Sequence, residues 1–332
     1  MNANRSGITV AGTLIADVFH EIDSYPQSGY LTKVWGKSFG IGGSGNLTID
    51  LAKLDKNLKV KVCAIVGEDE NGEKLLSALK KYPNIDTNDI TVYGESSCTL
   101  VMNAADTKQR TFFHIPGAND VFCEDFINWD SIYTKIFHLE YLLLMKKVDE
   151  ADAEFGTHGA RILKNARERG MITSIDMVSE NSDRVKNVVI PSLRYTDICC
   201  INELEAEAVT GVNLSKDGCF TYENCLEAAR IVKEFGVSKW VVIHAKKCGF
   251  GYDCEKDELI CVERLPLPDS HIKGTTGAGD AYCSGILYGA HQDMTLEESM
   301  RLARACAACS LTENNGTDGM RSYEEIVAKF GK

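Results

Sequence analysis

The segment GTTGAGDAYCSGILYGA, from Gly274 to Ala290, carries the clearest chemical pattern in the sequence. Three small residues, Gly277, Ala278 and Gly279, precede Asp280, and an apolar helical pattern begins directly after this acid. Backbone N–H groups in such a run turn toward one point, and a helix N-terminus adds roughly half a positive charge there. The pattern predicts an anion hole for a phosphate, with Asp280 placed to accept a proton from an attacking hydroxyl. The alternative is a tight turn in which Asp280 serves only as a helix N-cap.

A second glycine-rich segment, FGIGGSGNLTIDLAKL, matches G-x-G-x-x-G at Gly40, Gly42 and Gly45. Glu68 follows 23 residues after Gly45, which is typical of a dinucleotide-binding fingerprint. However, the preceding segment KVWGKSF is too polar for the buried first strand of such a unit. The other interpretation is a bare turn that a small polar ligand approaches closely, with Asn46 offering its amide to hydroxyl groups.

Polar residues also follow two predicted strands at the end where parallel sheets bind ligands. Asp17 comes after the first strand, and Asn202 with Glu205 forms N-x-x-E directly after TDICC. The N-x-x-E pair suits a metal or phosphate-water site, but it also suits an ordinary helix start. Asp17 on its own also fits a solvated loop acid.

The elements that must position these residues follow an α/β pattern. Short apolar runs rich in β-branched residues alternate with helical patterns, which predicts βαβ units and a central, mostly parallel sheet flanked by helices. The predicted strands are ITVAGTL, VKVCAIV, KIFHLEYLLL, ITSIDMV, TDICCIN and KWVVIHA. The predicted helices cover about 46–54, 71–81, 150–169, 203–210 and 222–235, and a helix-rich tail begins at about 277.

Two stretches interrupt this alternation with strand patterns. They predict a small β-sheet lid, contributed by about 18–39 and 90–116, inserted into a single α/β domain spanning 1–332. Within it, TLVMNAADTKQRTFFHI predicts a hairpin that turns at Asp106 to Gln109. A second predicted hairpin, FGYDCEKDELICVE, turns at Glu255 to Asp257.

Composition excludes several classes of protein. The chain has 332 residues and a formal charge of −12, which disfavours nucleic acid and anionic membrane surfaces as partners. No segment has the ~18 apolar residues of a membrane span, and no apolar leader follows Arg5, so we expect a cytoplasmic protein. The thirteen cysteines lie mostly in apolar runs and predict reduced core thiols, including the C-x-x-C of Cys306 and Cys309. No Walker A motif occurs in the sequence, which excludes a P-loop NTPase.

Taken in order, these segments resemble the ribokinase or PfkB family of carbohydrate kinases over essentially the whole chain. ITVAGTLIAD resembles the family's opening strand and substrate aspartate, GGSGN its first signature, and AIVGEDENGEKLL its V-G-x-D-x-x-G turn. RTFFHIPGAND resembles the lid hairpin, INELEAEAVTG the N-x-x-E motif and TTGAGDAYCSGIL the second signature. The resemblance implies a ribokinase-like fold and an ATP-dependent transfer of the γ-phosphoryl group to a sugar hydroxyl.

The resemblance also implies roles for individual residues. Asp280 would deprotonate the sugar hydroxyl, while backbone N–H groups of Gly277, Ala278 and Gly279 hold the developing charge. The sugar would be bound by Asp17, Gly42, Gly43 and Asn46. Mg²⁺ and its waters would be held by Asn202 and Glu205. Adenine would lie between the segment His244 to Gly249 and the turn Asn314 to Gly316. The lid would close over the sugar and pair with the lid of a second subunit in a homodimer.

Three departures from the family pattern affect which of these roles can be assigned to this chain. Two residues, instead of the usual three, separate the glycine pair Gly42 and Gly43 from Asn46. His244 and Lys246 occupy positions where Thr and Gly are common in the family. Gly274 replaces the acid that binds a monovalent cation in many relatives, so we expect potassium to have little effect. The substrate stays open between a free sugar, a sugar acid, a sugar phosphate and a nucleoside, with Lys33, Lys37, Lys108 and Arg110 as candidate phosphate ligands. A silent sugar-binding relative is the alternative from another class.

Overall fold

The computed structural model describes residues 5–107, 109–216 and 219–330. Its strands are β1 (Ile8–Gly12), β2 (Leu14–Ile22), β3 (Val34–Gly43), β4 (Val60–Val66), β5 (Ile85–Val92), β6 (Cys98–Ala104), β7 (Arg110–Ile115), β8 (Ile136–Leu142), β9 (Ala151–Asp152), β10 (Gly156–Thr157), β11 (Ile172–Met177), β12 (Ile198–Asn202), β13 (Ser215–Lys216), β14 (Cys219–Phe220), β15 (Trp240–His244), β16 (Cys248–Asp253) and β17 (Glu258–Glu263). Its helices are α1 (Ser44–Leu54), α2 (Glu70–Leu79), α3 (Lys146–Asp149), α4 (His158–Glu168), α5 (Arg184–Leu193), α6 (Glu203–Thr210), α7 (Tyr222–Glu234), α8 (Ala278–His291), α9 (Leu296–Ser310) and α10 (Tyr323–Phe330).

A nine-stranded sheet forms the centre, in the order β17-β16-β15-β12-β11-β8-β1-β4-β5. All neighbouring pairs from β15 to β5 are parallel, and β16 runs antiparallel to both of its neighbours. Successive residues alternate between two buried clusters: Val10 packs on one face of the sheet and Ala11 on the other. This alternation explains why the strands are apolar throughout, because helices cover both faces. The predicted α/β architecture is confirmed.

The lid is a second sheet of four strands, in the order β3-β2-β6-β7. Strand β2 pairs antiparallel with β3 and parallel with β6, and β7 returns antiparallel to β6. The turn between β6 and β7 lies where the sequence predicts it, although Lys108 in that turn is outside the described residues. The lid strands start at Leu14 and Cys98, whereas the residues from Ile90 to Val92 belong to β5 at the edge of the central sheet.

The long helix predicted over about 150–169 is wrong. The two-stranded ladder of β9 and β10 separates α3 from α4 there. Asp152 accepts hydrogen bonds from the backbone N–H groups of Glu154 and Phe155, and Gly156 has a φ of 94°. These contacts stabilise a turn in place of a helix, and Thr157 then caps α4 by accepting from the Ala160 N–H.

The cysteine prediction agrees with the structure. Cys306 and Cys309 are buried on α9 among core residues, and each of the cysteines with a described side chain is a free thiol. None of the helices among the described residues is long and apolar enough to span a membrane.

Candidate active site

The predicted site residues meet where the carboxyl ends of the central strands face the lid. Asp280 lies in the first turn of α8 and is 8% exposed. The helix N-cap is Gly277, so the alternative in which Asp280 caps the helix is wrong. Asn46 on α1 donates from Nδ2 to Asp280 Oδ2 at 3.0 Å, and the hydroxyl of Tyr141 donates to Oδ1. Both oxygens of this buried carboxylate are therefore held in place.

The environment of Asp280 disfavours its charged form. Burial and, to a smaller extent, the nearby Glu140 carboxylate raise the pKa of Asp280 to about 7, against the lowering effect of the hydrogen bonds from Tyr141 and Asn46. A carboxyl group with this pKa exchanges protons near neutral pH, which is what a general base requires.

The segment before Asp280 forms a backbone cradle. Gly277 has a φ of 76°, and a Cβ at this position would lie 2.8 Å from the Gly316 carbonyl oxygen. Only glycine meets both conditions without strain. The N–H groups in the first turn of α8 have no intrahelical acceptor, and the helix dipole adds positive charge at the same end. Gly277, Ala278 and Gly279 thus lie at the positive end of α8, where the predicted anion hole requires them.

Asp17 and the first signature face each other across two lid strands. Asp17 lies opposite Gly40 in the β2–β3 ladder, and a Cβ at Gly42 would lie 2.5 Å from Asp17 Oδ2. Gly43 has a φ of 61° and leads directly into α1, which carries Asn46. Burial raises the pKa of Asp17 to about 7, against a lowering hydrogen bond from Thr99. The bare glycine backbone therefore lets the Asp17 carboxylate lie against β3.

Asn202 and Glu205 form a capping box at the start of α6. Asn202 accepts from the Leu204 and Glu205 N–H groups, and Glu205 Oε2 accepts from the Asn202 N–H at 2.7 Å. Ser179 also donates to Glu205 Oε1 at 2.8 Å. Glu205 is 4% exposed, and burial raises its pKa to about 7. The helix-start interpretation holds. Because Oε1 also accepts from Asn202 Nδ2 at 2.6 Å, a single lone pair, on Oε2, remains for a metal-bound water.

The predicted adenine-binding residues lie at the facing ends of β15 and β16, which carry His244 and Gly249, and in the loop after α9, which carries Asn314 and Gly316. The His244 ring packs 5.3 Å from the Tyr282 ring, and a Cβ at Gly279 would lie 3.3 Å from its Cε1 atom. His244 thus lies beside the anion hole, and burial lowers its pKa to about 4. Gly249 packs over Tyr282 as well, since a Cβ there would lie 3.2 Å from the ring carbon that bears the hydroxyl. Asn314 borders a cavity of about 470 Å³ between the lid and these loops, and Gly316 packs against Gly277.

Three residues of the site escaped prediction from the sequence: Glu140, Tyr141 and Asp176. Glu140 is fully buried at the end of β8, and Asp176 is 5% exposed at the end of β11. Burial raises the pKa of Asp176 and of the Tyr141 hydroxyl well above their usual ranges. The available signal was an acid inside an apolar strand pattern, at the carboxyl end of a parallel strand.

Oxygen ligands for a divalent cation are present in the same cleft. Side-chain oxygens of Glu140, Asp176 and Asp280 lie within 4.8 Å of one another. Among the described residues, Glu140 Oε1 has no hydrogen-bond partner although the side chain is buried. Carboxylate oxygens are the ligands that Mg²⁺ prefers, so the residues present fit this ion, with Glu205 in the first turn of α6 after the neighbouring strand β12.

Comparisons with known proteins identify one family. A profile described as pfkB family carbohydrate kinase matches residues 8–322. The chain is 25% identical to a ribokinase of Lactococcus lactis, with 97% of this chain and 96% of the relative aligned. A structure of Arabidopsis thaliana ribokinase complexed with ribose and ATP superposes with a TM-score of 0.81 at 19% identity, covering 99% of this chain and 100% of that one. A Methanocaldococcus jannaschii nucleoside kinase gives 0.75 at 16% identity, covering 99% of each chain.

The raised pKa of Asp280 predicts a pH-dependent effect of Asp280→Asn on stability. Because the folded-state pKa, about 7, exceeds the usual aspartate value of 3.8, stability falls as the pH rises between these values. Asp280→Asn removes the ionisable group and with it this loss of stability. The amide that the substitution introduces has an N–H donor, and rotation of the Asn46 amide turns Oδ1 toward it as the acceptor. Asn46 Oδ1 has no other partner among the described residues. We expect Asp280→Asn to stabilise the fold by about 1–3 kcal/mol more at pH 8 than at pH 5.

Urea unfolding at the two pH values measures this difference. Asn at the exposed position Asp125 is the matched control and should leave the free energy of unfolding unchanged at both. Destabilisation by Asp280→Asn at pH 8 would contradict the assigned environment.

Proposed function

The chain belongs to the pfkB family of carbohydrate kinases, and we propose that it transfers the γ-phosphoryl group of ATP to a hydroxyl of a sugar or sugar-like substrate with Asp280 as general base. One observation carries this assignment. The buried Asp280 carboxylate lies directly after the backbone cradle of Gly277 to Gly279, at the positive end of α8. Proton acceptor and anion hole are therefore adjacent, as an in-line transfer requires.

The proposed step conserves atoms and charge. The substrate hydroxyl gives its proton to Asp280 while its oxygen bonds to the γ-phosphorus, and the bond from that phosphorus to the β,γ-bridging oxygen breaks. ADP leaves with the bridging oxygen, the phosphorylated product leaves as well, and Asp280 gives its proton to solvent. The N–H groups of Gly277, Ala278 and Gly279 bind the charge that develops on the transferred group.

We assign roles to the remaining predicted residues from their positions in the cleft. Asp17, Gly42, Gly43 and Asn46 would bind the sugar, because they line the lid side of the cleft that contains Asp280. Adenine would lie between His244 to Gly249 and Asn314 to Gly316. Mg²⁺ bound with the nucleotide would be held through water by Glu205, next to Asn202, and would neutralise phosphate charge. A nucleoside is the alternative substrate, and a silent sugar-binding relative is the alternative function.

A homodimer that pairs lid sheets is part of this proposal. Large apolar side chains are exposed at both edges of the lid, with Tyr30 75% and Trp35 61% exposed near β3 and Phe113 53% exposed on β7. Apolar patches of this kind mark interaction surfaces. A second copy of the chain placed there would cover these side chains.

The test of the proposed function measures ADP formation with ATP, Mg²⁺ and a panel of sugars and nucleosides. We expect Asp280→Asn to lower kcat by roughly 10²- to 10⁴-fold, the usual share of proton transfer, and to leave ATP affinity within a few-fold. Near-normal turnover by this variant would refute the base assignment. A wild-type protein that binds sugar without forming ADP would support the silent relative.

Tyr141→Phe tests whether the tyrosine hydroxyl tunes the base. The hydrogen bond from Tyr141 lowers the pKa of Asp280, so its loss should move the acid limb of the kcat/KM profile toward higher pH. Above that limb we expect kcat within about tenfold of wild type, because the base itself remains. Tyr288→Phe is the matched control, since the Tyr288 hydroxyl donates to Asp55 at 3.2 Å outside the cleft. Identical pH profiles for Tyr141→Phe and wild type would remove Tyr141 from the mechanism.

Gly274 leads to a prediction about potassium. A Cβ at Gly274 would lie 3.0 Å from the carbonyl oxygens of Glu313 and Asn314, so the loop offers carbonyls, while the Glu313 carboxylate pairs with Lys273 at 3.1 Å. Arg110 from the lid contacts the Thr276 hydroxyl and donates to the Asn314 carbonyl at 3.4 Å. Its guanidinium already supplies positive charge there, and replacing a tetraalkylammonium ion with potassium should change kcat/KM less than about threefold. Activation of tenfold or more at equal ionic strength would show a functional cation site.

A further inference from the structure

A chain of hydrogen bonds runs beneath the candidate active site, from β11 to the end of β8. His138 lies opposite Ser174 in the β8–β11 register, and its Nδ1 lies 3.0 Å from Ser174 Oγ. The other ring nitrogen, Nε2, lies 2.9 Å from Oε2 of Glu140, two residues further along β8. The side chains of His138 and Glu140 are both fully buried. The imidazole ring therefore connects Glu140 to the neighbouring strand.

This chain of hydrogen bonds lies on the sheet face that packs against α8. His138 is opposite Val10 on β1, and Val10 belongs to the same buried cluster as Ala281 of α8. Residues opposite each other in adjacent strands point to the same face of a sheet, and so do alternate residues of one strand. His138 and Glu140 therefore face the helix that carries Asp280.

The two carboxylate oxygens of Glu140 have different surroundings. Oε2 is bonded to the ring, whereas Oε1 has no hydrogen-bond partner among the residues that the structure describes. An ionised carboxylate only accepts, so toward this form His138 donates Nε2–H to Oε2. The Ser174 hydroxyl fits either form of the ring, because it donates to a neutral Nδ1 and accepts from a protonated one. The ring thus orients the carboxylate and leaves Oε1 as its free acceptor.

Glu140 belongs to a carboxylate cluster with Asp176 and Asp280, in which oxygens of the three side chains lie within 4.8 Å of one another. The Met177 N–H donates to Asp176 Oδ1 at 2.7 Å, and both oxygens of Asp280 accept side-chain hydrogen bonds. A ligand shared by the cluster has to be a cation or a hydrogen-bond donor, because carboxylates only accept. The spacing suits a divalent cation, which binds oxygen at about 2.0–2.6 Å. The unpartnered Oε1 of Glu140 is the oxygen left for it.

Fold stability alone does not account for a histidine and a glutamate inside an apolar strand. Removing both from water costs free energy that their attraction offsets only in part, and apolar residues often replace such pairs without loss of stability. The pair also ends at the carboxylate cluster. These two facts point to a role in the site. Carboxylates that bind metals are commonly held by hydrogen bonds of this kind.

We propose that His138 is a positioning residue that holds Glu140 Oε1 ready to bind a divalent cation. Asp176 and Asp280 would supply further oxygen ligands to the same ion. The proposal rests on the proposed function for the use of Mg²⁺, and it adds direct carboxylate ligands to the contact through water at Glu205. Cation binding needs no turnover, so the two proposals can be tested separately.

Binding of Mn²⁺ to the nucleotide-free protein tests this role. The EPR signal of free Mn²⁺ falls when the ion binds, and a titration therefore gives its Kd. His138→Leu should raise this Kd about 10- to 100-fold, the usual effect of removing a group that holds a metal ligand. His138→Gln should stay within about threefold of wild type, because its amide N–H replaces Nε2–H. Glu140→Gln removes the ligand itself and should weaken binding at least as much as His138→Leu.

His158→Leu is the matched control. His158 Nδ1 lies 2.9 Å from Glu124 Oε1, so the pair is of the same type. However, His158 is the first residue of α4, whose apolar side chains pack in the cluster on the opposite face of the sheet. This variant should leave the Kd for Mn²⁺ unchanged.

Melting temperature reports on folding in every variant. If His138→Leu does not fold, Ser174→Ala takes its place. It removes the hydroxyl that holds Nδ1 and should raise the Kd about 2- to 10-fold, as expected for one lost hydrogen bond.

Several results would overturn the proposal. One is the absence of Mn²⁺ binding by the wild-type protein at millimolar concentrations. Another is a wild-type Kd in folded His138→Leu or Glu140→Gln, or in folded Ser174→Ala where that variant is used. An equal loss of affinity in His138→Gln and His138→Leu would also overturn it, because filling of space would then explain both. Mn²⁺ binding as expected, without ADP formation from any substrate, would support this inference and contradict the proposed function.

Discussion

The crowding of buried carboxyl groups is the constraint on which the cleft depends. Glu140, Asp176 and Asp280 bring carboxylate oxygens within 4.8 Å of one another in a site with little solvent. Asp50, four residues after Asn46 on α1, adds a fully buried carboxyl group below them, and burial raises its pKa well above the usual range. The repulsion between these carboxylates is reduced by protonation, by hydrogen-bond donors, by the dipole of α8 and by a bound divalent cation. Each of them also belongs to the chemistry of phosphoryl transfer.

The scaffold keeps these groups close through small residues and one strained turn. A Cβ at Gly285 of α8 would lie 2.5 Å from Ala303 Cα, so α8 packs tightly against α9 and its first turn is held rigidly. Leu143 has a φ of 73°, which is unfavourable for leucine. Its N–H donates to Asp149 and its carbonyl accepts from Arg184, and this turn follows Tyr141 directly. Strain of this kind is kept where the surrounding contacts determine a functional geometry.

The sequence predicted the local motifs well, since each combines glycine conformations with a helix start over a few residues. Asp280 and its glycine cradle are one such motif, and Asn202 with Glu205 is another that also satisfies an ordinary capping box. Glu140, Tyr141 and Asp176 were missed because the topology brings them to Asp280 from strands far away in the chain. The break between α3 and α4 was missed for a different reason: side-chain bonds of Asp152 stabilise a turn within a helical pattern.

Titration of Asp280 itself is the most direct test of the account. Carboxyl resonances of protein labelled with ¹³C at aspartate, with Asp280 assigned by its absence in Asp280→Asn, report this pKa without any assay of activity. We expect the Asp280 carboxyl group to titrate with a midpoint at about pH 7, because burial and neighbouring carboxylates disfavour its ionised form. A midpoint near the ordinary aspartate value of about 4 would contradict it, because the cleft would then hold an ordinary solvated acid.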